Sequence, residues 1–222
     1  MKKFLLAAFM LAASTSLTAE TIFYSGNLRT DATVTACGSS CTLNSSDTDY
    51  QYAQFAAAVY SFTVYTTTTM EAITYSYGGG TSLTGATVLA GGLEPYLSLF
   101  DSAVDFLAST FFSGCPAGAH YVGPNCFDVE LDGGTLTPGV YEIALTAYQN
   151  ASYAENNGPP AKLADGFIGI GNLAPTENLN YAFDVILPAN TPPAVAPEPG
   201  TIGLMLAGTA AIAVANLRRI KR

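Results

Sequence analysis

Residues 133–150 read GGTLTPGVYEIALTAYQN and contain a complete strand pattern that begins at a turn. Pro138 and Gly139 form a typical turn pair, which starts the strand. In the nine residues after this pair, apolar side chains alternate with others, and one face carries Tyr141, Ile143, Leu145 and Ala147. Successive side chains of a β-strand point to opposite faces, so the alternation predicts a strand with one face in a core.

The same alternation recurs along the chain between glycine-rich turns. It is present in VYSFTVYT (59–66), MEAITYSY (70–77), PYLSLFD (95–101), CFDVELD (126–132) and YAFDVIL (181–187). Two further segments, TIFYSGNL (21–28) and VDFLASTFF (104–112), are also typical of strands. Only Asp49–Ala58 could form a helical turn, and this segment could equally lead into the next strand.

About eight short strands without intervening helices favour two packed antiparallel sheets, because each strand needs a second layer to cover its apolar face. Residues 20–190 are long enough for one domain with a substantial core. The sequence therefore predicts an all-β fold over residues 20–190, an antiparallel β-sandwich of the jelly-roll kind.

Two stretches of this domain, LEPYLSLFDSAVDFLAS (93–109) and residues 133–150, resemble the bacterial pre-peptidase C-terminal (PPC-like) domain and related secreted proteins. In that group a D/E-P-Y-L-x-L-F-D strand precedes an L-x-P-G-x-Y-x-x-x-L-x-x-Y strand. The resemblance implies a jelly-roll sandwich and conveys little about activity. Its core side chains would be Leu97, Leu99, Leu136, Tyr141, Ile143 and Leu145.

The first twenty residues, MKKFLLAAFMLAASTSLTAE, have the layout of a secretory signal peptide. Lys2 and Lys3 form a basic region, Phe4–Ala13 an apolar region, and Ser14–Ala19 a small, polar stretch. We expect residues 1–19 to be removed after Ala19. The alternative is an uncleaved membrane anchor.

The last residues, PEPGTIGLMLAGTAAIAVANLRRIKR (197–222), combine an apolar segment with a basic end. Residues 201–217 carry no charge, and seventeen helical residues span about 25 Å, enough to cross a bilayer's hydrocarbon. The bases that follow would stay in the cytoplasm and stop the chain there: Arg218, Arg219, Lys221 and Arg222. This pattern predicts a transmembrane helix over residues 201–217 and a cytoplasmic end at 218–222, with a buried core helix as the alternative.

Pro197, Glu198, Pro199 and Gly200 stand directly before this apolar segment. The order of these parts resembles the PEP-CTERM sorting signal, which is also labelled an ice-binding protein C-terminal domain, a label that says nothing about ice upstream. The resemblance implies recognition by an exosortase, a membrane enzyme of Gram-negative bacteria that also make extracellular polysaccharide. The proline-rich residues 191–200 would form a stiff, extended spacer between body and membrane.

The charges of the body are almost all negative. From residue 20 to residue 198 only Arg29 and Lys162 are basic, against seventeen acids, so the body taken over these residues has a formal charge of −15. We expect no nucleic-acid partner, because phosphate binding needs a basic surface. The acids suit solubility or divalent cations, and the calcium candidates are Asp101, Asp105, Asp128 and Asp132, with Asp47 and Asp49 as a further pair.

The four cysteines form two local pairs in the sequence, Cys37 with Cys41 and Cys115 with Cys126. Four thiols allow three pairings, and export favours disulfides. Local bridges are the simplest expectation, and a zinc site built from two loops is the alternative.

The sequence contains no constellation of catalytic residues that fits a known chemistry. His120 is the only histidine, and the chain lacks a G-x-S-x-G elbow, a Walker loop and an H-E-x-x-H motif. We expect an exported, non-catalytic cell-surface or extracellular-matrix protein, associated with extracellular polysaccharide or biofilm, with no cofactor except possible calcium. The alternative is a glycan- or calcium-binding module on the envelope, and a secreted hydrolase ranks third.

Overall fold

The computed structural model describes residues 19–31, 57–110, 114–148, 150–168 and 179–192, and the structural statements below concern these residues. The chain divides into two units, Met1–Thr191 and Pro192–Arg222. The fold described here is that of the first unit.

Twelve strands and two short helices make up the described fold. The strands are β1 (Glu20–Asn27), β2 (Ala58–Val64), β3 (Thr68–Thr74), β4 (Gly80–Thr81), β5 (Thr87–Val88), β6 (Pro95–Phe100), β7 (Phe106–Thr110), β8 (Glu130–Leu136), β9 (Gly139–Ala147), β10 (Ala151–Ser152), β11 (Phe167–Ile168) and β12 (Asn180–Leu187). The helices are α1 (Leu28–Asp31) and α2 (Tyr153–Asn157), and a 3-10 turn covers Leu163–Asp165.

The eight longer strands form two four-stranded antiparallel sheets. Sheet I has the order β1-β12-β3-β8, and sheet II has the order β2-β9-β6-β7. The chain passes repeatedly from one sheet to the other, and this strand order is that of a jelly roll. The predicted antiparallel β-sandwich, with about eight main strands, is therefore confirmed.

The main core lies between the two sheets, where the apolar faces of the strands meet. The alternating residues of β9 that defined the strand pattern, Tyr141, Ile143, Leu145 and Ala147, are all buried there. Opposite them in the same core lie Phe183 and Val185 of β12 and other side chains of sheet I. The core residues named by the PPC-like resemblance also belong to it, namely Leu97, Leu99 and Leu136.

The outer faces of the central strands are buried as well, which the sequence pattern did not show. On sheet I, Ile73, Tyr75 and Ala182 form a second cluster with Val88 and Ala119 from later loops. On sheet II, a third cluster joins the strands to α2 and the 3-10 turn: Ala57, Phe100, Ala144, Ala154, Ala161, Leu163 and Phe167. Where these clusters lie, the central strands are thus covered on both faces, because long connections fold back over the sheets.

The connections at the two ends of the sandwich differ in length. At one end, called here the short-turn end, residues 65–67, 101–105 and 137–138 link consecutive strands. At the other, long-loop end, the chain leaves the two sheets after β1, β3, β7 and β9 and returns to them at β2, β6, β8 and β12 through longer connections, parts of which lie outside the described residues. Because Glu20 pairs with Leu187, the first strand begins and the last strand ends at the short-turn end.

Asn190 fastens the chain where it leaves β12 at the short-turn end. Its side-chain oxygen accepts a 2.6 Å hydrogen bond from the Tyr65 N–H, and its amide donates to the Thr63 carbonyl at 2.8 Å and to Glu20. The Ala189 N–H also donates to the Thr68 hydroxyl at 3.1 Å. The exit of the first unit is therefore fixed against the turn between β2 and β3.

Candidate functional site

Asp128 holds the backbone that follows β3 at the long-loop end. Its buried carboxylate accepts hydrogen bonds from the N–H groups of Ser76 (2.5 Å), Tyr77 (3.1 Å) and Gly78 (2.9 Å) and from the Thr74 hydroxyl (3.0 Å). Burial raises the pKa of Asp128, and these hydrogen bonds lower it again in part. The carboxylate thus supplies acceptors to a turn whose N–H groups have left the β3 ladder.

Asp184 holds the next part of the same connection. It lies on the outer face of β12 and is fully buried. Its carboxylate accepts hydrogen bonds from the Tyr75 hydroxyl (2.9 Å), the Ser82 hydroxyl (2.7 Å) and the Leu83 N–H (2.7 Å). Burial and the bond to Asp184 raise the pKa of Tyr75, so its hydroxyl keeps its proton and donates.

The β4–β5 hairpin is joined edge to edge with the loop that contains the third and fourth cysteines. The Thr81 N–H donates to the Gly118 carbonyl at 3.0 Å, and the His120 N–H donates to the Gly79 carbonyl at 3.0 Å. A Cβ at residue 78 would lie 1.7 Å from the His120 carbonyl oxygen, which no side chain tolerates. The glycines of YGGG therefore allow the two backbones to approach closely, and they also turn the chain.

A disulfide between Cys115 and Cys126 closes the loop that carries His120. The local pairing predicted for these two residues is confirmed, and their bonded sulfurs leave no thiolate for zinc in this loop. Cys37 and Cys41 lie outside the described residues. The bridge constrains both ends of a segment whose middle is already bonded to the hairpin.

Residues 78–91 and 114–126 together form a surface that we call the uncharged layer. Neither segment contains Asp, Glu, Lys or Arg, although the body has a formal charge of −15. Seven large apolar side chains are exposed among the described residues, and four of these belong to the uncharged layer: Leu83, Leu89, Tyr121 and Val122. The two segments meet at Gly79: a Cβ there would lie 2.9 Å from the backbone carbonyl carbon of Leu89, and the Gly79 carbonyl accepts the hydrogen bond from the His120 N–H.

The four calcium candidates do not come together: Asp101 and Asp105 share the turn between β6 and β7, whereas Asp128 and Asp132 lie elsewhere. Asp101 accepts hydrogen bonds from the N–H groups of Ala103 and Asp105, and the Asp105 carboxylate forms an ion pair with Lys162. Asp128 is buried under the hairpin, whereas Asp132 is exposed in β8 and accepts from the Gly134 N–H. Within the described ranges, no group of three or more His, Cys, Asp or Glu side chains is placed to hold a metal ion. Asp47 and Asp49 lie outside these ranges, and calcium binding stays a prediction.

Asp128, Glu130 and Asp132 alternate in CFDVELD but do not lie on one face in the structure. Asp128 precedes β8 and turns inward to the backbone of residues 76–78, while Glu130 and Asp132 remain exposed. Burial raises the pKa of Glu71 on the neighbouring β3, and the two exposed acids raise it further. This cluster is a solvated acidic face of sheet I.

Sequence reasoning did not single out Asp184 or Glu155 as positioning residues. Glu155, in α2, accepts hydrogen bonds from the Tyr96 hydroxyl and the Ser109 hydroxyl, which tie the helix to sheet II. Burial raises the pKa of Glu155. A lone acid within an apolar strand, as in YAFDVIL, is the signal that could have identified Asp184, because a buried carboxylate needs several donors.

His120 is exposed on the uncharged layer. The two segments of the uncharged layer contain no carboxylate that could orient the His120 imidazole as a catalytic base. The non-catalytic interpretation stays a prediction.

The predicted sorting and stop residues lie outside the described part of the chain: Pro197, Glu198, Pro199, Gly200, Arg218, Arg219, Lys221 and Arg222. The same holds for residues 1–18 of the predicted signal peptide and for the predicted helix over 201–217. In the part of the chain that the structure does describe, no helix has the length and apolar character needed to span a membrane.

Comparison with known families places a match in the tail of the chain. Residues 195–220 match the family of the PEP-CTERM protein-sorting motif. The match indicates a protein that exosortase sorts to the cell surface, by way of a transient membrane-anchored state. No curated protein matches the chain, and the resemblance of the body to PPC-like domains stays a prediction.

Proposed function

We propose that this protein is a non-catalytic component of the cell surface or extracellular matrix, held by its tail until exosortase processing and associated with extracellular polysaccharide. The observation that carries the proposal is the sorting motif at residues 195–220. The polysaccharide association follows from the resemblance of this tail to proteins of polysaccharide-producing bacteria.

The fold supports a display role for the body. The first unit ends at Thr191, where Asn190 fixes the chain to the short-turn end of the sandwich. The long connections, including the uncharged layer, begin at the opposite end. Surface loops on a rigid scaffold commonly carry binding functions, so the end farthest from the tail attachment is suited to contacts with other molecules.

The sorting half of the proposal is tested with the full chain in a host that has an exosortase. We expect the wild-type chain to reach the surface or medium, and Pro199→Ala to accumulate in the membrane fraction at unprocessed size. Pro193→Ala is the matched control, because it removes a spacer proline outside the motif. Equal processing of all three chains would contradict recognition of the Pro-Glu-Pro motif.

The polysaccharide half is tested on the same cells by a separate measurement. Enzymatic removal of the extracellular polysaccharide should release the wild-type protein from the surface into the wash. Protein that stays bound to the cells after the polysaccharide is removed would contradict the association with polysaccharide. Protein that is already in the medium before the enzyme is added would contradict it as well.

A further inference from the structure

We propose that the uncharged layer is a self-association surface, through which one copy of this chain binds a second copy. The proposal depends neither on the sorting step nor on polysaccharide. It starts from the distribution of charge and of exposed apolar side chains over the described surface.

Charge repulsion restricts where two copies can meet. Each body has a formal charge of −15, so most pairs of surfaces bring carboxylates together. The uncharged layer contains no charged side chain in either of its two segments. The two acids that accept hydrogen bonds from its backbone, Asp128 and Asp184, are fully buried. Two copies that meet through this layer therefore avoid direct contact between carboxylates.

The exposed side chains of the layer have the composition of a protein interface. Leu89 is 84% exposed, Tyr121 65% and Val122 46%, and these three come from two adjacent segments. The centres of protein interfaces are depleted in charged residues and rich in aromatic and apolar ones. A second copy offers matching apolar groups, whereas a sugar chain would use aromatic faces and polar groups more than leucine and valine.

The uncharged layer is also restrained in one conformation in the unbound chain. The disulfide between Cys115 and Cys126, the backbone bonds of Thr81 and His120, and the Asp184 carboxylate all restrain it. A surface that is already ordered loses little conformational entropy on binding. This favours association even when the contact area is small.

The test uses two differently tagged copies of the purified full chain in a mild non-ionic detergent, with one copy immobilised. The wild-type chain should capture itself, and capture should strengthen when salt is added, because salt screens the repulsion between the acidic bodies. Val122→Asp on both copies should reduce capture by about tenfold or more. Val140→Asp is the matched control, since Val140 is also 46% exposed but lies in β9, outside the layer, and this variant should bind as the wild type does.

A charge exchange tests direct contact. If the two layers face each other, an immobilised Val122→Asp chain should capture a Val122→Lys chain better than it captures itself. Equal loss with Val122→Asp and Val140→Asp, or no self-capture of the wild type at any salt concentration, overturns the proposal. Failure of self-capture together with Val122-dependent binding to dextran beads would also overturn it and assign the layer to a neutral glycan.

Discussion

The hydroxyl of Tyr75 donates a 2.9 Å hydrogen bond to the carboxylate of Asp184, and both residues are fully buried on the outer face of sheet I. Tyr75 directly follows β3, and Asp184 lies in the neighbouring β12. The same carboxylate also binds Ser82 and the Leu83 N–H, so it couples the sheet to the hairpin above it. Asp184 therefore attaches the hairpin of the uncharged layer to sheet I.

Replacing Asp184 with alanine should destabilise the protein by about 3 kcal/mol, because three donors lose their acceptor together and two of them, the Tyr75 and Ser82 hydroxyls, are buried. Hydrogen exchange of residues 76–90 should increase more than that of the core strand β9. Urea denaturation and exchange mass spectrometry of the full chain measure both effects. Asp132→Ala is the control: Asp132 is exposed, and its removal should change stability by less than about 0.5 kcal/mol. Equal effects of the two variants would contradict the anchoring role of Asp184.

Gly78 tests the close approach of the hairpin to the disulfide loop. In Gly78→Ala the new methyl would lie 1.7 Å from the His120 carbonyl oxygen, so one backbone has to move. We expect a loss of about 2 kcal/mol or more in the free energy of unfolding. In Gly139→Ala the nearest atom would be 3.6 Å away, so this variant should fold with little change. A Gly78→Ala protein as stable as the control would show that this backbone contact is not as described.

Removing the Cys115–Cys126 bridge by a double serine substitution should lower stability by about 2–3 kcal/mol, as expected for closing a loop of this size. The effect should be concentrated in the uncharged layer, where the Thr81 N–H and the His120 N–H should exchange faster with solvent. The main core should keep its strand content by circular dichroism. Loss of the whole fold would instead make the disulfide a requirement for folding of the sandwich.

The pH dependence of stability follows from four carboxyls whose pKa values burial raises: Glu71, Glu94, Asp128 and Glu155. In the folded state each keeps its proton at pH values where the unfolded chain has lost it. The free energy of unfolding should therefore fall as pH rises from about 4, the ordinary pKa, through the raised values. Urea denaturation across this range measures the slope.

High salt separates two causes of this slope. Repulsion between exposed acids is screened by salt, whereas the desolvation of buried carboxyls is not. We expect part of the slope to persist in high salt and to decrease in Glu155→Gln, which cannot titrate. A stability that rises with pH, or a slope that vanishes completely in high salt, would contradict the burial effect.

The sandwich could be predicted from the sequence because the alternation of apolar side chains within each main strand shows which residues share a face. The residues of β9 and β12 that alternate in the sequence are buried together between the sheets. The two-residue strands and the short helix α2 could not be predicted in this way. Segments of two to five residues are too short to show a period, and their form depends on what they pack against.

The burial of the outer faces could not be predicted either. The alternation of MEAITYSY places Ile73 and Tyr75 opposite Ala72, and it does not state which face meets the core. In the structure Ala72 faces the main core, and Ile73 and Tyr75 lie under the later loops. The contact partners are distant in sequence, so no local pattern encodes them.

The sequence by itself determined the class of fold and the presence of the sorting motif, because strand periodicity and a tail motif are both properties of contiguous residues. Only the tertiary structure decided which acids are buried anchors, which cysteines of the described residues are joined, and where the charge-free segments come together. Asp128 and Asp132 are both acids of one short segment, yet one binds three backbone N–H groups in the interior and the other faces solvent. The difference arises because the connection after β3 folds back onto Asp128, and that contact joins residues about fifty positions apart.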